Sequence, residues 1–112
     1  MVLKVTFPYS DQRREFNNGS IAGERLRELL GGQNKVIEEI HTSPDSSRVV
    51  IAQPINGDRG GLDRELIVRT LVGQPTIEVG QRLRFPGSIC TEVRLPEGSG
   101  AIIDGFIFTH ED

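Results

Sequence analysis

Few residues in this chain are of types that could do chemistry, and they are scattered. Arg13 and Arg14 lie just upstream of Asn18-Gly19-Ser20-Ile21-Ala22-Gly23. Guanidinium groups hold anions by charge and by a planar fork of donors, and Asn and Ser add neutral hydrogen bonds. Arg13, Arg14, Asn18 and Ser20 are therefore the candidate contacts for an anionic, nucleotide-like small molecule. Gly57-Asp58-Arg59-Gly60-Gly61 is also Gly-rich, but it has neither the Lys-Ser/Thr of a P-loop nor GxGxxG spacing. It reads as a permissive loop, with Asp58 and Arg59 as candidate contacts for a partner. His41 and His110 each stand alone at the end of a predicted strand, without the His-x-His or His-x3-His spacing of a metal site. Cys90 precedes Thr91-Glu92 rather than opening a helix, so a nucleophilic role would need a basic partner from elsewhere in the chain. Glu38/Glu39 and Asp63/Glu65 are carboxylate pairs that a solvated face explains. The expectation is a chain with no catalytic residue, no metal and no cofactor.

Composition sets the frame for these groups. A chain of 112 residues fits one domain with a single core, and 36% hydrophobic residues with only 5% aromatics make that core aliphatic. One cysteine excludes an internal disulfide and a multi-cysteine zinc site. That fits the reducing cytoplasm. No run approaches the ~20 apolar residues of a membrane span, and no signal-peptide core follows Met1. With a net charge of −3, attraction to nucleic acid or to an anionic membrane is not expected.

The elements that must position these residues are clearest in 76–109, where short alternating runs separated by Gly and Pro predict an antiparallel meander. A three-residue loop Gly80–Arg82 would pair Val79 with Leu83, Ile77 with Phe85 and Glu78 with Arg84. A second loop, Phe85-Pro86-Gly87, places Leu83 opposite Ile89 and asks Gly87 for a positive φ. Ile89, Thr91, Val93 and Leu95 then share one face, and Glu78, Arg84, Cys90, Glu92 and Arg94 the other. Cross-strand ion pairing accounts for Arg84 and Arg94. Pro96 ends that strand, and Glu97-Gly98-Ser99-Gly100 turns into a last strand, Ala101 to His110. That strand is apolar on both faces, which suits a central or interface position, with Phe106 and Phe108 as candidate contacts.

Upstream, Met1 to Phe7 alternates as a strand ending at Pro8, and Arg13 to Phe16 could pair back on it. Ala22, Leu26, Leu29 and Leu30 fall on one face of a helix at about 20–30, with Asn18 or Ser20 as its cap and Gly31-Gly32 as its stop. Residues 35–41 and 62–72 fit strand or helix and lean to strand. Arg48 to Gln53 is a strand closed by Pro54.

Residues 2–31 resemble the opening of TGS and ubiquitin-like β-grasp domains, a resemblance that implies a binding module. The C-terminal Gly-Gly of ubiquitin-like carriers is not here, since the chain ends Thr109-His110-Glu111-Asp112. Arg13-Arg14 with Asn18-x-Ser20-x-x-Gly23 resembles the Arg-rich loop and (D/N)xSxxG signature of PilZ cyclic-dinucleotide receptors, where arginines hold phosphates. In that family the two halves are well separated, whereas here they nearly adjoin.

The expected fold is α+β, mainly antiparallel, a sheet or partly closed barrel with one clear helix. The expected function is a non-catalytic binding or assembly protein, of inhibitor, immunity, anti-defence or structural-subunit type, with a protein partner or a homo-oligomer. An anionic-ligand module is the alternative, and a small enzyme using Cys90, His41 or His110 comes third.

Overall fold

The computed structural model describes residues 2–56, 61–62, 66–84 and 86–111. Two antiparallel sheets and one helix share a single core. The first sheet runs in the order β2-β1-β11-β10-β7, from β1 (Val2–Thr6), β2 (Arg13–Phe16), β7 (Val68–Thr70), β10 (Gly100–Ile103) and β11 (Phe106–Glu111). The second runs β3-β4-β5-β9-β8, from β3 (Gly19–Ala22), β4 (Ile37–Thr42), β5 (Ser46–Asn56), β8 (Glu78–Arg84) and β9 (Ser88–Pro96), with β6 (Gly61–Leu62) paired to β5. Neither sheet closes into a barrel.

Alternation decides which side chains enter the core. Leu3 and Val5 of β1 sit opposite His110 and Phe108 of β11, and this inward row meets Ile40, Val49, Ile51, Val93 and Leu95 of the second sheet. The helix α1 (Gly23–Leu29) adds Leu26, and Leu30 follows at its end, both buried completely. Phe7 and Phe106 stack edge-on with ring centroids 5.7 Å apart. Glycine at 87 is required where φ is +60° and the chain turns back to pair Arg84 with Ser88.

The predicted pairing of Arg13–Phe16 with the first strand is present, Leu3 opposite Phe16 and Thr6 opposite Arg13. Residues 37–42 are strand, as the sequence leaned. Of 62–72, β6 and β7 are strand at either end, and residues 63–65 lie outside the described residues.

Several expectations are corrected. Asn18 and Ser20 do not cap the helix: 19–22 is a strand paired to β4, and the residue before the helix is Ala22, with no side-chain cap. Pro54 does not close its strand, because β5 runs on to Asn56. The amide of Ala52 reaches Val36 on the β4 side, so position 54 faces that side too, beyond the start of β4, where no amide hydrogen is needed. Gly80–Arg82 is not a loop. It is the middle of β8, whose true partners are Glu78–Arg94, Val79–Val93 and Leu83–Ile89. The last strand is two strands. Asp104 and Gly105 take φ of +50° and +83°, the mirror-image turn that matches strand twist, and fold β11 back on β10. Central placement is nonetheless right, since both strands lie inside the sheet order.

Candidate functional site

The predicted anion contacts do not converge. Arg13 and Arg14 are exposed neighbours on β2 and point to opposite faces, as strand residues must. Asn18 and Ser20 line a hollow of about 270 Å³ with Glu15, Phe16 and Ile21, and neither arginine is among its walls. The Ser20 hydroxyl is engaged by His41, its Oγ 2.5 Å from Nδ1 across the β3–β4 ladder. A carboxylate on the rim and a hydroxyl already taken are poor company for an anion.

The remaining candidates also lie apart. His110 is wholly buried between the sheets, Nδ1 2.7 Å from the Ser47 hydroxyl and Nε2 3.4 Å from the Pro44 carbonyl. Cys90 is buried on β9 opposite Ala52 and Arg82. Phe106 and Phe108 have no exposed surface and belong to the core, which corrects their reading as partner contacts. Asp58, Arg59, Asp63, Glu65 and Phe85 lie outside the described residues.

The charged groups are organised on the outer face of the second sheet. Registers place Ser20, His41, Arg48, Arg94 and Glu78 in one row across β3, β4, β5, β9 and β8. A bulge between Ile37 and Glu39 lets both Glu38 and Glu39 serve this face. Arg48 reaches Glu39 at 3.2 Å, Arg82 approaches Glu92 at 4.0 Å, and Arg84 binds Glu38 in a short contact. That hydrogen bond and the Glu38 charge raise the pKa of Arg84 above its ordinary value. The expectation of ion pairing on a solvated face is met for Arg84, but its partner is Glu38 on β4, not Glu78. Such exposed pairs are worth at most about 1 kcal/mol each.

The feature the sequence reading missed is β8 itself. All seven of its residues are exposed, and among the described residues no strand pairs with its second edge. Its inward row of Val79, Gln81 and Leu83 continues that of Val93, Thr91 and Ile89 on β9, yet Val79 is 50% and Leu83 77% exposed. Gln81 Nε2 donates to Thr91 Oγ1 at 3.3 Å. The signal was present in the sequence. Val79, Gln81 and Leu83 alternate without a break, and Gly80 keeps an ordinary negative φ, so no turn was required there.

Comparison of the chain with protein-family models, with curated proteins and with solved structures finds no match.

Proposed function

We propose that this chain is a binding or assembly protein that works by contact with another polypeptide, through the edge of β8. One observation carries the reading: a seven-residue edge strand, exposed throughout, presents Val79 and Leu83 on the same side as the core but outside its cover. Edge strands are commonly blunted by Pro, by a bulge, or by an inward-pointing charge. β8 has no Pro, pairs with β9 without a break in register, and carries Val79, Gln81 and Leu83 on its inward row. Strand addition supplies main-chain hydrogen bonds to an edge of this kind, while side chains on alternate positions supply specificity.

The placement of the chemically capable residues supports the same reading. The His110 ring is occupied by Ser47 and Pro44 inside the core, and His41 and Cys90 occupy different rows and strands of the second sheet.

A photo-crosslinking amino acid at position 81 should form adducts with a polypeptide in the cells that express the protein. The same group at the exposed turn residue Glu97 should not. Equal or no adduct formation at the two positions would remove the reading.

A further inference from the structure

We infer that the polypeptide received by β8 is β8 of a second copy, paired antiparallel about a two-fold axis through Gln81. This rests on the reading of β8 as a contact edge and names its partner. Three independent features of the strand support it.

The first is the direction of the backbone groups. Ala52 gives its amide to Val36, on the β4 side of β5, so Gln53 turns toward β9 and, through the Gln53–Ile89 pair, the odd residues of β9 turn toward β5. The even residues Ser88, Cys90, Glu92 and Arg94 then face β8, where they meet Arg84, Arg82, Gly80 and Glu78. Val79, Gln81 and Leu83 are left with N–H and C=O on the open edge. An axis at Gln81 pairs 79 with 83, 81 with 81 and 83 with 79, all of them positions that can exchange hydrogen bonds.

The second is the side-chain order of Glu78-Val79-Gly80-Gln81-Arg82-Leu83-Arg84. Read against itself in reverse about Gln81, it sets Glu78 against Arg84, whose guanidinium also holds Glu38 of its own chain, and Val79 against Leu83, each twice by symmetry. These are the pairings that a hairpin within one chain would have made, and the chain does not use them internally, since Glu78 lies opposite Arg94. A two-fold axis normal to the sheet keeps inward faces together, so both copies of Val79 and Leu83 would form one apolar cluster.

The third is the space over Gly80. With no side chain there, a hollow of about 310 Å³ opens on the outer face among Arg48, Glu78, Glu92 and Arg94. The residue placed opposite Gly80 by the same axis is Arg82 of the second copy. The next position in that row is Glu92, the acid that Arg82 of the same chain already approaches at 4.0 Å. Room for the Arg82 side chain, beside Glu78 and Glu92 as well as Arg48 and Arg94, therefore falls in the same register as the backbone pairing.

Sedimentation equilibrium of the full-length chain tests this directly, with circular dichroism to verify folding of every variant. The wild-type mass should rise from 12.4 kDa toward twice that value with concentration. Glu78→Arg alone and Arg84→Glu alone each place like charges opposite one another twice, and should raise the dissociation constant about tenfold or more. An equimolar mixture of the two variants restores both pairs and should dimerise like wild type. If either charge variant fails to fold, Gln81→Cys keeps the test open: residues 81 of the two copies face each other at about 5.5 Å between Cα atoms, within disulfide range. Oxidised glutathione should then link Gln81→Cys into a covalent dimer and leave Leu83→Cys unlinked. A wild-type monomer at every concentration, or a dimer indifferent to the charge reversals, would overturn the inference. Crosslinking from position 81 to a different polypeptide, with the purified chain monomeric, would overturn the second copy as partner and leave β8 as the contact edge.

Discussion

At the scale of single residues, His110 shows how a chemically capable group becomes a structural one. Its ring lies 2.7 Å from the Ser47 hydroxyl at Nδ1 and 3.4 Å from the Pro44 carbonyl oxygen at Nε2, joining the first sheet to the β4–β5 turn of the second. Ser47 Oγ also lies 3.3 Å from Thr42 Oγ1, so the polar groups in this part of the core satisfy one another. Replacing His110 by Ala removes ring volume and leaves the Ser47 hydroxyl and the Pro44 carbonyl without their ring partner, an expected cost of about 2–4 kcal/mol in urea unfolding. Ser47→Ala should cost about 1–3 kcal/mol, and the double variant less than the sum, because both changes break the same contact. Lys4 offers a pH test. Its hydrogen bond and charge contact with Glu111, 2.6 Å away, raise its pKa above the ordinary 10.5. A raised lysine contributes its share of stability below the unfolded value and loses it as pH climbs through the folded one. Wild type and Lys4→Met should therefore differ in melting temperature at neutral pH and converge above the lysine range.

At the scale of elements, the turns decide more than the strands do. Asp104-Gly105 divides what would otherwise be a ten-residue apolar strand into the hairpin at the centre of the first sheet. Gly105→Ala would hold an alanine at φ of +83° with its Cβ 3.1 Å from that of Pro8, and should cost about 1–2 kcal/mol. Gly100 is needed for space. A Cβ there would stand 2.6 Å from Leu71 Cδ1 and 3.0 Å from the Phe108 carbonyl oxygen. Gly100→Ala should therefore cost about 1–3 kcal/mol, read from chemical denaturation, by displacing the turn that packs over it. Both glycines sit in the sequence as plain punctuation. The Asp-Gly pair is a two-residue hairpin signal that reading 101–110 as one strand passed over, whereas the demand at Gly100 had no local signal, since Leu71 and Gln74 approach it from 29 and 26 positions upstream.

At the scale of the whole molecule, the chain closes on itself late. β1 pairs with β11, so the first strand waits for the last, and folding in milliseconds to seconds is expected by stopped-flow. A chain stopped after Gly105 loses Phe106, Phe108 and His110 from the core and the neighbour of both β1 and β10. It should show no cooperative unfolding transition. If β8 joins two copies, the melting temperature of the intact chain should rise with its concentration.

The amino-acid order by itself determined an α+β domain of antiparallel strands. It also determined the inward row Ile89–Leu95, the return loop at Gly87, the pairing of residues 13–16 with the first strand and the apolar face of the helix. Alternation, helical periodicity and turn chemistry are local properties, carried by neighbours in the chain. Which strand lies beside which was decided only in three dimensions, where each apolar row must find an opposing one. The same sequence stretch, 78–84, matches itself in a hairpin as well as across an axis. The fold pairs it with β9 through the loop at Gly87, Val79 opposite Val93 and Leu83 opposite Ile89. His110 could be recognised as structural, and β8 as an exposed edge, only after the two sheets had closed over one and left the other uncovered.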